Sequence, residues 1–285
     1  MSSIELTAKI NKIIKFSNVD GPGNRMAIFF QGCNFNCEYC HNPETINICK
    51  NCYKCVDECP TNALYIEKEK VVWNDSLCCE CDKCIKSCGF DASPKVKEYS
   101  VSQLVKEVAK VKAFIKGVTV SGGESTLQYK FITELFKEIK KSWPNLTCFV
   151  DTNGSLDLEK DIYKEFVEVT DSFMLDVKAW NEEEHFKLTE KRVENVIKNL
   201  NFLKEIGKLF EVRTVVVQGK LNNRMTIKNV SEIIAKTDVR YKIIKYRHFG
   251  VREILQETLL PPTDKELEEL ESLAQKLEVK NTLII

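Results

Sequence analysis

The chain has 285 residues, of which 43% are hydrophobic and 29% are charged, so it has enough apolar material for a core and too little bias for a disordered chain. Lys plus Arg and Asp plus Glu each number 42, and the net charge of zero argues against a protein built to bind nucleic acid or anionic lipid. The sequence shows no signal peptide and no stretch near the ~20 apolar residues of a membrane span, which predicts a cytoplasmic protein with no membrane partner.

Cysteines divide the sequence into two parts. Twelve of the thirteen cysteines lie between Cys33 and Cys88, and from about Ser100 onward the pattern changes to alternating strands and helices. Because no leader directs the chain to an oxidising compartment, we expect metal ligands rather than a disulfide framework. The sequence therefore predicts one barrel-like domain over residues 1–47 and 98–285, interrupted by a cysteine-rich insert over residues 48–97.

A first strand is predicted over residues 27–31, and a cysteine motif follows it directly. Cys33, Cys37 and Cys40 have the spacing Cys-x-x-x-Cys-x-x-Cys, which brings three thiolates onto one loop. Three ligands suit a four-iron cluster with one iron left open. Zinc is the alternative, but structural zinc sites use four ligands, mostly in Cys-x-x-Cys pairs. The spacing therefore favours the iron-sulfur cluster.

Two runs of four cysteines follow, each with the spacing Cys-x-x-Cys-x-x-Cys-x-x-x-Cys. This spacing is typical of bacterial ferredoxins with two clusters, in which the fourth cysteine of each run ligates the other cluster. A pair of zinc knuckles is the alternative, and Cys79 could compete with Cys78 as a ligand, although the spacing favours Cys78. Such an insert could pass electrons inward, support the structure or help to dock a partner. The predicted ligand sets are Cys49, Cys52, Cys55 and Cys88 for one cluster, and Cys59, Cys78, Cys81 and Cys84 for the other.

The remainder of the chain reads as a repeat of strands and helices. Apolar residues at helical spacing follow the polar Ser100 and predict a helix over residues 101–115 that packs one face on a sheet. Five β-rich runs then alternate with amphipathic stretches, over residues 117–121, 146–151, 172–177, 210–217 and 241–246. With roughly six βα units, the predicted fold class is α/β, a partial TIM-like (βα)6 barrel with the ferredoxin-like insert, and sites collect at the carboxyl ends of the strands.

The first cysteine motif, with the aromatic Tyr39 before its third cysteine, resembles that of radical S-adenosylmethionine (SAM) enzymes. The preceding segment SNVDGPGNR, residues 17–25, is similar to that of the activating enzymes of glycyl radical enzymes, most closely the YjjW-type activases. In that family SAM chelates the open iron, and one electron from the reduced cluster cleaves it to give a 5'-deoxyadenosyl radical. The resemblance implies an oxidoreductase that abstracts hydrogen from a backbone glycine of a partner glycyl radical enzyme. Reduced flavodoxin or ferredoxin is the implied electron donor.

The same resemblance implies a cofactor pocket. Gly122, Gly123 and Glu124 match the Gly-Gly-Glu motif of the family, whose backbone receives the methionyl amino group of SAM. Where the family usually has a histidine near the cofactor, this sequence has Arg247, with His248 beside it, and the choice between the two is open. The other residues carried over to the pocket are Tyr39, His41, Asp151, Asp176, Val177, Lys178 and Arg213.

Two further roles come from the resemblance. Asp20, in the VDGPG segment, is expected to help seat the glycine loop of the partner. A monovalent cation is expected at Asp151, Thr152, Met174 and Asp176, which completes a predicted cofactor set of three [4Fe-4S] clusters, SAM and this cation. The alternative enzyme is a radical SAM enzyme that acts on a small molecule, and an alternative of another class is a ferredoxin-like electron carrier.

Overall fold

The fold is known from a computed structural model that describes residues 5–285. Nine strands form one sheet in the order β11-β10-β9-β8-β7-β6-β2-β1-β5, and β3 pairs with β4 in a separate small sheet. Strand β2 and strands β6 to β11 run parallel, while β1 is antiparallel to both β2 and β5. The strands are β1 (Thr7–Ser17), β2 (Arg25–Phe30), β3 (Leu64–Glu67), β4 (Lys70–Trp73), β5 (Lys97–Ser100), β6 (Gly117–Gly122), β7 (Thr147–Thr152), β8 (Ser172–Asp176), β9 (Leu209–Val216), β10 (Arg240–Lys245) and β11 (Asn281–Ile284).

Helices connect the parallel strands, so the predicted α/β class is confirmed. At least one helix lies between each parallel strand and the next, and the insert precedes the helix that follows β2. The helices are α1 (Lys54–Asp57), α2 (Lys83–Lys86), α3 (Val101–Val111), α4 (Tyr129–Ser142), α5 (Lys164–Val169), α6 (Glu182–Thr189), α7 (Glu194–Glu205), α8 (Asn223–Ile234), α9 (Glu253–Gln256) and α10 (Asp264–Lys276). None of the helices within residues 5–285 is long and apolar enough to cross a bilayer.

Helix α3 shows how local sequence positions these elements. The Ser100 hydroxyl accepts a hydrogen bond from the backbone N–H of Gln103, and the Gln103 side chain accepts one from the Ser100 N–H, which forms a capping box. Leu104, Val108 and Val111 share one buried face of the helix. The helix ends at Val111, earlier than the predicted limit at residue 115, because the chain tightens into a 3-10 turn over Lys112–Phe114.

The two antiparallel strands at one side of the sheet were not predicted. In β1, Ala8 and Ile10 are buried while the intervening Lys9 is exposed, so the period-2 pattern is present but short. Register shifts between Ile10 and Lys12, and again near Ser17, interrupt this pattern further. Because charged and apolar residues are mixed in this way, the periodicity of the sequence does not identify β1 as a strand.

The cysteine-rich segment has little regular structure. Helices α1 and α2 and strands β3 and β4 each have four residues. Its small core contains Cys55, Leu64 and Cys84, with Trp73 packed against them. The segment is joined to the sheet domain at Asn47, whose N–H donates to the carbonyl of Asp91 at 3.0 Å.

Candidate active site

A cavity of about 270 Å³ lies at the carboxyl ends of the parallel strands. Such ends meet at one edge of the sheet, so residues from separate loops come together there. The cavity brings together most of the residues that the sequence predicts for a cofactor pocket. They are Cys33, Cys37, Tyr39, Cys40, His41, Gly122, Gly123, Glu124, Asp151, Thr152, Asp176, Lys178 and Arg213.

Backbone hydrogen bonds shape the first cysteine loop. Gly32 N–H donates to the Thr45 carbonyl at 2.8 Å, and Cys33 N–H donates to the Ile46 carbonyl at 2.9 Å, so the loop closes on itself after β2. Burial raises the pKa of the Cys33 and Cys37 thiols to about 12. These thiols therefore keep their protons unless iron displaces them, as metal binding does.

The donor set of this loop suits a cluster better than a single ion. In the part of the chain from residue 5 to residue 285, no three Cys, His, Asp or Glu side chains converge closely enough to hold one metal ion. Zinc would need thiolates about 2.3 Å from one point. A four-iron cluster spreads its thiolate ligands around a cage of iron and sulfide, and three cysteines that line one cavity meet that requirement.

The paired glycines after β6 are required by close backbone packing. Gly122 has a φ of +119°, and a Cβ there would lie 2.3 Å from backbone atoms of Phe30. A Cβ on Gly123 would lie 2.3 Å from the Gly32 carbonyl oxygen. The Glu124 N–H then donates to the same Gly32 carbonyl at 2.8 Å. The glycines therefore let the β6 loop lie directly against the cysteine loop.

The Glu124 carboxylate joins two of the predicted motifs. It is 1% exposed and accepts hydrogen bonds from the Thr126 hydroxyl at 2.5 Å, the Thr152 hydroxyl at 2.7 Å and the Asn153 N–H at 2.6 Å. Burial raises the pKa of Glu124, while these hydrogen bonds oppose the rise. Its side chain thus fixes the loop after β7 against the loop after β6.

Lys178 and two unpaired polar atoms provide ligand-binding groups. Lys178 Nζ donates to Asp176 Oδ2 at 2.9 Å and lies 5.7 Å from the centre of the Tyr39 ring. Burial would lower the pKa of Lys178, but Asp176 raises it well above its usual value, so the ammonium stays charged. The buried Tyr39 hydroxyl and His41 Nε2 have no hydrogen-bond partner among residues 5–285. Buried polar atoms usually have a partner, so these two fit a site that receives a polar ligand.

Two of the four positions predicted for a monovalent cation, Asp151 and Met174, contact the Arg213 guanidinium. Nη1 of Arg213 donates to Asp151 Oδ2 at 2.8 Å, and Nη2 contacts Met174 Sδ at 3.1 Å. The same Asp151 oxygen accepts from the Ser121 hydroxyl at 2.9 Å. Burial raises the pKa of Asp151, and Arg213 opposes that rise. The structure therefore gives Asp151 a cationic partner from the protein, and the monovalent cation stays a prediction.

Three residues predicted to contact the cofactor lie outside the cavity lining. Val177 is fully buried in the core, because side chains alternate along an extended chain and Asp176 and Lys178 take the cavity side. Arg247 and His248 are exposed, since the chain turns outward after β10. Gly250 then packs on His41, where a Cβ would lie 2.1 Å from the His41 carbonyl oxygen.

Two other predicted residues, Met174 and Asp20, do not line the cavity. Met174 is buried, and its sulfur contacts Arg213, which lines the cavity. Asp20 precedes β2, where its Oδ2 accepts from the Ser17 hydroxyl at 2.5 Å and its carbonyl accepts from the Thr119 hydroxyl at 2.6 Å. The VDGPG segment is thereby held against β6, away from the cysteine loop.

The sequence interpretation missed two residues of the site. Asn153 Nδ2 lies 3.8 Å from Cys33 Sγ and donates to Asn34 Oδ1 at 3.1 Å. Glu211 is fully buried, and its Oε1 accepts from Arg213 Nε at 2.5 Å and from Lys242 Nζ at 3.0 Å. A signal for Glu211 was present, because it lies two residues before Arg213 and therefore on the same face of β9.

A second group of cysteines meets in the insert. Cys59 lines one cavity together with Cys78, Cys81 and Cys84. Cys59 belongs to the first run of the insert and the other three to the second, which is the exchange that the ferredoxin pattern predicts. Cys79 lines the same cavity, so the structure does not choose between Cys78 and Cys79.

Comparison with known proteins relates this architecture to a family. The sequence pattern of the radical SAM superfamily matches residues 27–227. A relative from Haemophilus influenzae, named as a glycyl-radical enzyme activating enzyme, is 28% identical over 99% of this chain and 98% of its own length. The trans-4-hydroxy-L-proline dehydratase activating enzyme of Clostridioides difficile is 30% identical, covering 91% of this chain and 93% of the relative. The solved structure of QueE from Escherichia coli has a similar fold, with a TM-score of 0.56, 12% identity, and coverage of 100% of this chain and 99% of that one.

Proposed function

The chain belongs to the radical SAM superfamily and, within it, to the glycyl radical enzyme activating enzymes, and we propose that its cavity binds SAM on a [4Fe-4S] cluster held by Cys33, Cys37 and Cys40. One observation carries the proposal. The three cysteines share a cavity with the Gly122–Gly123 loop and with the Asp176–Lys178 pair. Thiolates for a cluster and charged groups for an amino acid thus face the same space.

The residues around the cavity have complementary roles. When bound, the cluster and SAM supply a 5'-deoxyadenosyl radical. Lys178, kept charged by Asp176, and Arg213 offer cations to the carboxylate of the methionyl group. The unpaired Tyr39 hydroxyl and His41 Nε2 offer polar atoms to the remainder of the ligand. Glu124 acts indirectly, since it holds the two loops together.

The substrate that we propose is a backbone glycine of a partner protein. A glycine has no side chain to block approach, and flanking amides delocalise its α-radical. Hydrogen abstraction needs no acid–base pair, so catalysis rests on placing the two carbons close together and excluding water. The relatives are named as activating enzymes of protein partners, which favours this substrate over a small molecule. Asp20 is proposed to help seat the glycine loop.

We propose that residues 48–97 form a ferredoxin-type insert with two further [4Fe-4S] clusters. Cys49, Cys52, Cys55 and Cys88 would hold one cluster. Reduced flavodoxin or ferredoxin is the proposed donor, and the monovalent cation is proposed only from the family pattern. Support for the other cluster comes from the cavity shared by Cys59, Cys78, Cys81 and Cys84.

An anaerobic activation assay tests the proposed function. The reconstituted protein is incubated with SAM, dithionite and a candidate glycyl radical enzyme encoded nearby. We expect 5'-deoxyadenosine and a carbon-centred EPR doublet on the partner, and neither product with Cys37→Ala. A partner with its target glycine changed to alanine should give 5'-deoxyadenosine without the doublet. The proposal would be contradicted by zinc in the first cysteine loop, or by an iron centre whose EPR spectrum does not change when SAM is added.

A further inference from the structure

Arg252 connects the insert to the first cysteine loop. It lies between β10 and α9, and its side chain is 16% exposed. Nε donates to Asp91 Oδ2 at 2.8 Å, Nη1 donates to the Cys37 carbonyl at 3.3 Å, and Nη2 donates to Asn36 Oδ1. The planar guanidinium suits such a junction because its donors point in fixed directions. One side chain therefore holds residues from two separate segments.

Residues 90 and 91 of the insert also contact Asn47, which precedes the insert. The Asp91 carbonyl accepts from the Asn47 N–H at 3.0 Å, and the Phe90 carbonyl accepts from Asn47 Nδ2 at 3.0 Å. Asn47 directly follows Ile46, whose carbonyl accepts from the Cys33 N–H at 2.9 Å. Residues 90 and 91 are thus bound to both ends of the cysteine loop, at the Ile46 side by Asn47 and at the Cys37 side by Arg252.

This junction lies next to one of the two proposed ligand sets of the insert. Cys49 lies two residues after Asn47, and Cys88 lies three residues before Asp91. Three residues of extended chain span at most about 11 Å, so both cysteines are close to the junction. Both belong to the same proposed set of four. The other set lines a cavity with Pro60 and Trp73, and neither residue takes part in the junction.

We infer that Arg252 is a positioning residue that fixes the part of the insert around Cys49 and Cys88 at a set distance from the Cys33–Cys40 loop. The inference rests on the proposed function. When the clusters are bound, this junction would favour transfer of one electron from a reduced ferredoxin- or flavodoxin-type protein through the cluster on Cys49, Cys52, Cys55 and Cys88 to the SAM-cleaving cluster. Each donor would be reoxidised as the next is reduced.

The test compares Arg252→Gln with Lys97→Gln as a matched control. Lys97, on β5, forms an ion pair with Asp75 of the insert, so the control also breaks an ion pair of the insert but leaves the cysteine loop untouched. Both variants and the unmodified protein are loaded with iron to equal content. The rate of 5'-deoxyadenosine formation is then measured with a reduced ferredoxin-type protein and, separately, with dithionite, a small reductant that needs no docking site on the insert.

We expect the ratio of the protein-driven rate to the dithionite-driven rate to fall by up to about tenfold in Arg252→Gln, because losing one charge-assisted hydrogen bond lowers the equilibrium constant for docking the insert by about that factor. Lys97→Gln should keep the original ratio. The EPR spectrum of the fully reduced protein provides a second measurement. Magnetic broadening between neighbouring reduced clusters should decrease in Arg252→Gln alone. A purely structural role would lower both rates together and leave their ratio unchanged.

The outcomes separate the inference from the proposed function. An unchanged ratio in Arg252→Gln, or an equal fall in Lys97→Gln, would overturn the inference while the function stands. If the unmodified protein forms no 5'-deoxyadenosine with dithionite, the proposed function fails, and the inference with it. Should Arg252→Gln fail to hold iron, Asp91→Asn removes the carboxylate partner and leaves the contacts of Arg252 with Cys37 and Asn36. The same fall is expected there, and its absence counts against the inference.

Discussion

The parallel sheet and the cysteine-rich insert belong to one chain but are stabilised by different means. In the sheet domain, long elements bury continuous apolar faces, as in α4, where Phe131, Ile132, Leu135, Phe136 and Ile139 are all buried. The insert has four-residue elements and a core of three buried side chains, two of which are cysteines. Apolar burial therefore accounts for the order of the sheet and cannot account for that of the insert.

Backbone conformation shows the same contrast. Between residues 5 and 285, eight of the eleven non-glycine residues with positive φ lie within residues 48–97. The left-handed conformation costs an L-residue roughly 1–2 kcal/mol, so a small core would not hold so many of them. Bound clusters would supply the missing free energy. This contrast agrees with the proposal that the insert holds metal clusters.

Removal of iron should produce the largest difference between the sheet domain and the insert. Without clusters, we expect residues 48–97 to lose their protection against hydrogen exchange, because metal binding provides folding free energy on the order of 10 kcal/mol in small metal-dependent domains. Peptides from β6 to β8 should keep theirs. Hydrogen exchange followed by mass spectrometry measures both in one sample. An insert that stays protected without iron would show that its own packing suffices.

Glu211→Gln should weaken the sheet domain and spare the insert. The Glu211 carboxylate is fully buried and faces Arg213, Arg240 and Lys242. Its loss leaves Arg240 and Lys242 without this counter-charge and leaves Arg213 with Asp151 alone. We expect a loss of about 3 kcal/mol in the free energy of unfolding at pH 7. Urea denaturation followed by circular dichroism measures it. Iron content should be unchanged, and Glu205→Gln, at an exposed position of α7, should change neither quantity.

We also expect the effect of Glu211→Gln on the free energy of unfolding to depend on pH. Burial alone would raise the pKa of Glu211, but Arg213 and the two other cations lower it below its usual value of 4.5. A carboxyl group whose pKa is lowered on folding stabilises the protein above its unfolded pKa, and that contribution is lost as the pH falls through the folded pKa. The difference between the unmodified protein and Glu211→Gln should therefore shrink below about pH 4.5. A difference that stays constant down to pH 3 would exclude this origin.

Asn153→Ala tests whether the cavity of the sheet domain tunes the potential of the cluster proposed for Cys33, Cys37 and Cys40. The Asn153 amide lies 3.8 Å from Cys33 Sγ, and a hydrogen bond to a cluster thiolate favours the reduced, more negative state. Its loss should lower the midpoint potential by roughly 60 mV, which corresponds to a tenfold change for one electron. EPR-monitored redox titration measures the shift. Asn201→Ala on α7 is the control, and an equal shift there would contradict the assignment.

Asp20→Asn should have the smallest effect and should appear only with a partner protein. Asp20 lies outside the cavity lining, so cleavage of SAM without a partner should continue. We expect formation of the partner radical to fall about fivefold, as for loss of one hydrogen bond. The yield of the EPR doublet relative to 5'-deoxyadenosine measures this coupling. Equal loss of both products would show that Asp20 does not act in partner binding. Asp161→Asn, a substitution at an exposed site, is the control variant.

The amino-acid sequence by itself determined those features that depend on local spacing. Cysteine spacing identified the first loop and the two runs of the insert, since ligands a few residues apart must approach one centre. Alternating and helical periodicity located β2, the strands β6 to β10 and α3, because burial on one face imposes a fixed period. The Gly-Gly-Glu segment was placed by resemblance, and the structure brings it to the cavity.

The tertiary structure alone decided what residues far apart in the chain do to one another. Glu124 contacts the loop after β7, and Val177 faces the core while its neighbours face the cavity. Arg252 reaches Asp91 and Cys37 across 161 and 215 positions of sequence, and no local pattern marks such a contact. Periodicity and spacing report the immediate surroundings of a residue. Contacts between distant segments depend on how the whole sheet packs, which is a property of the complete fold.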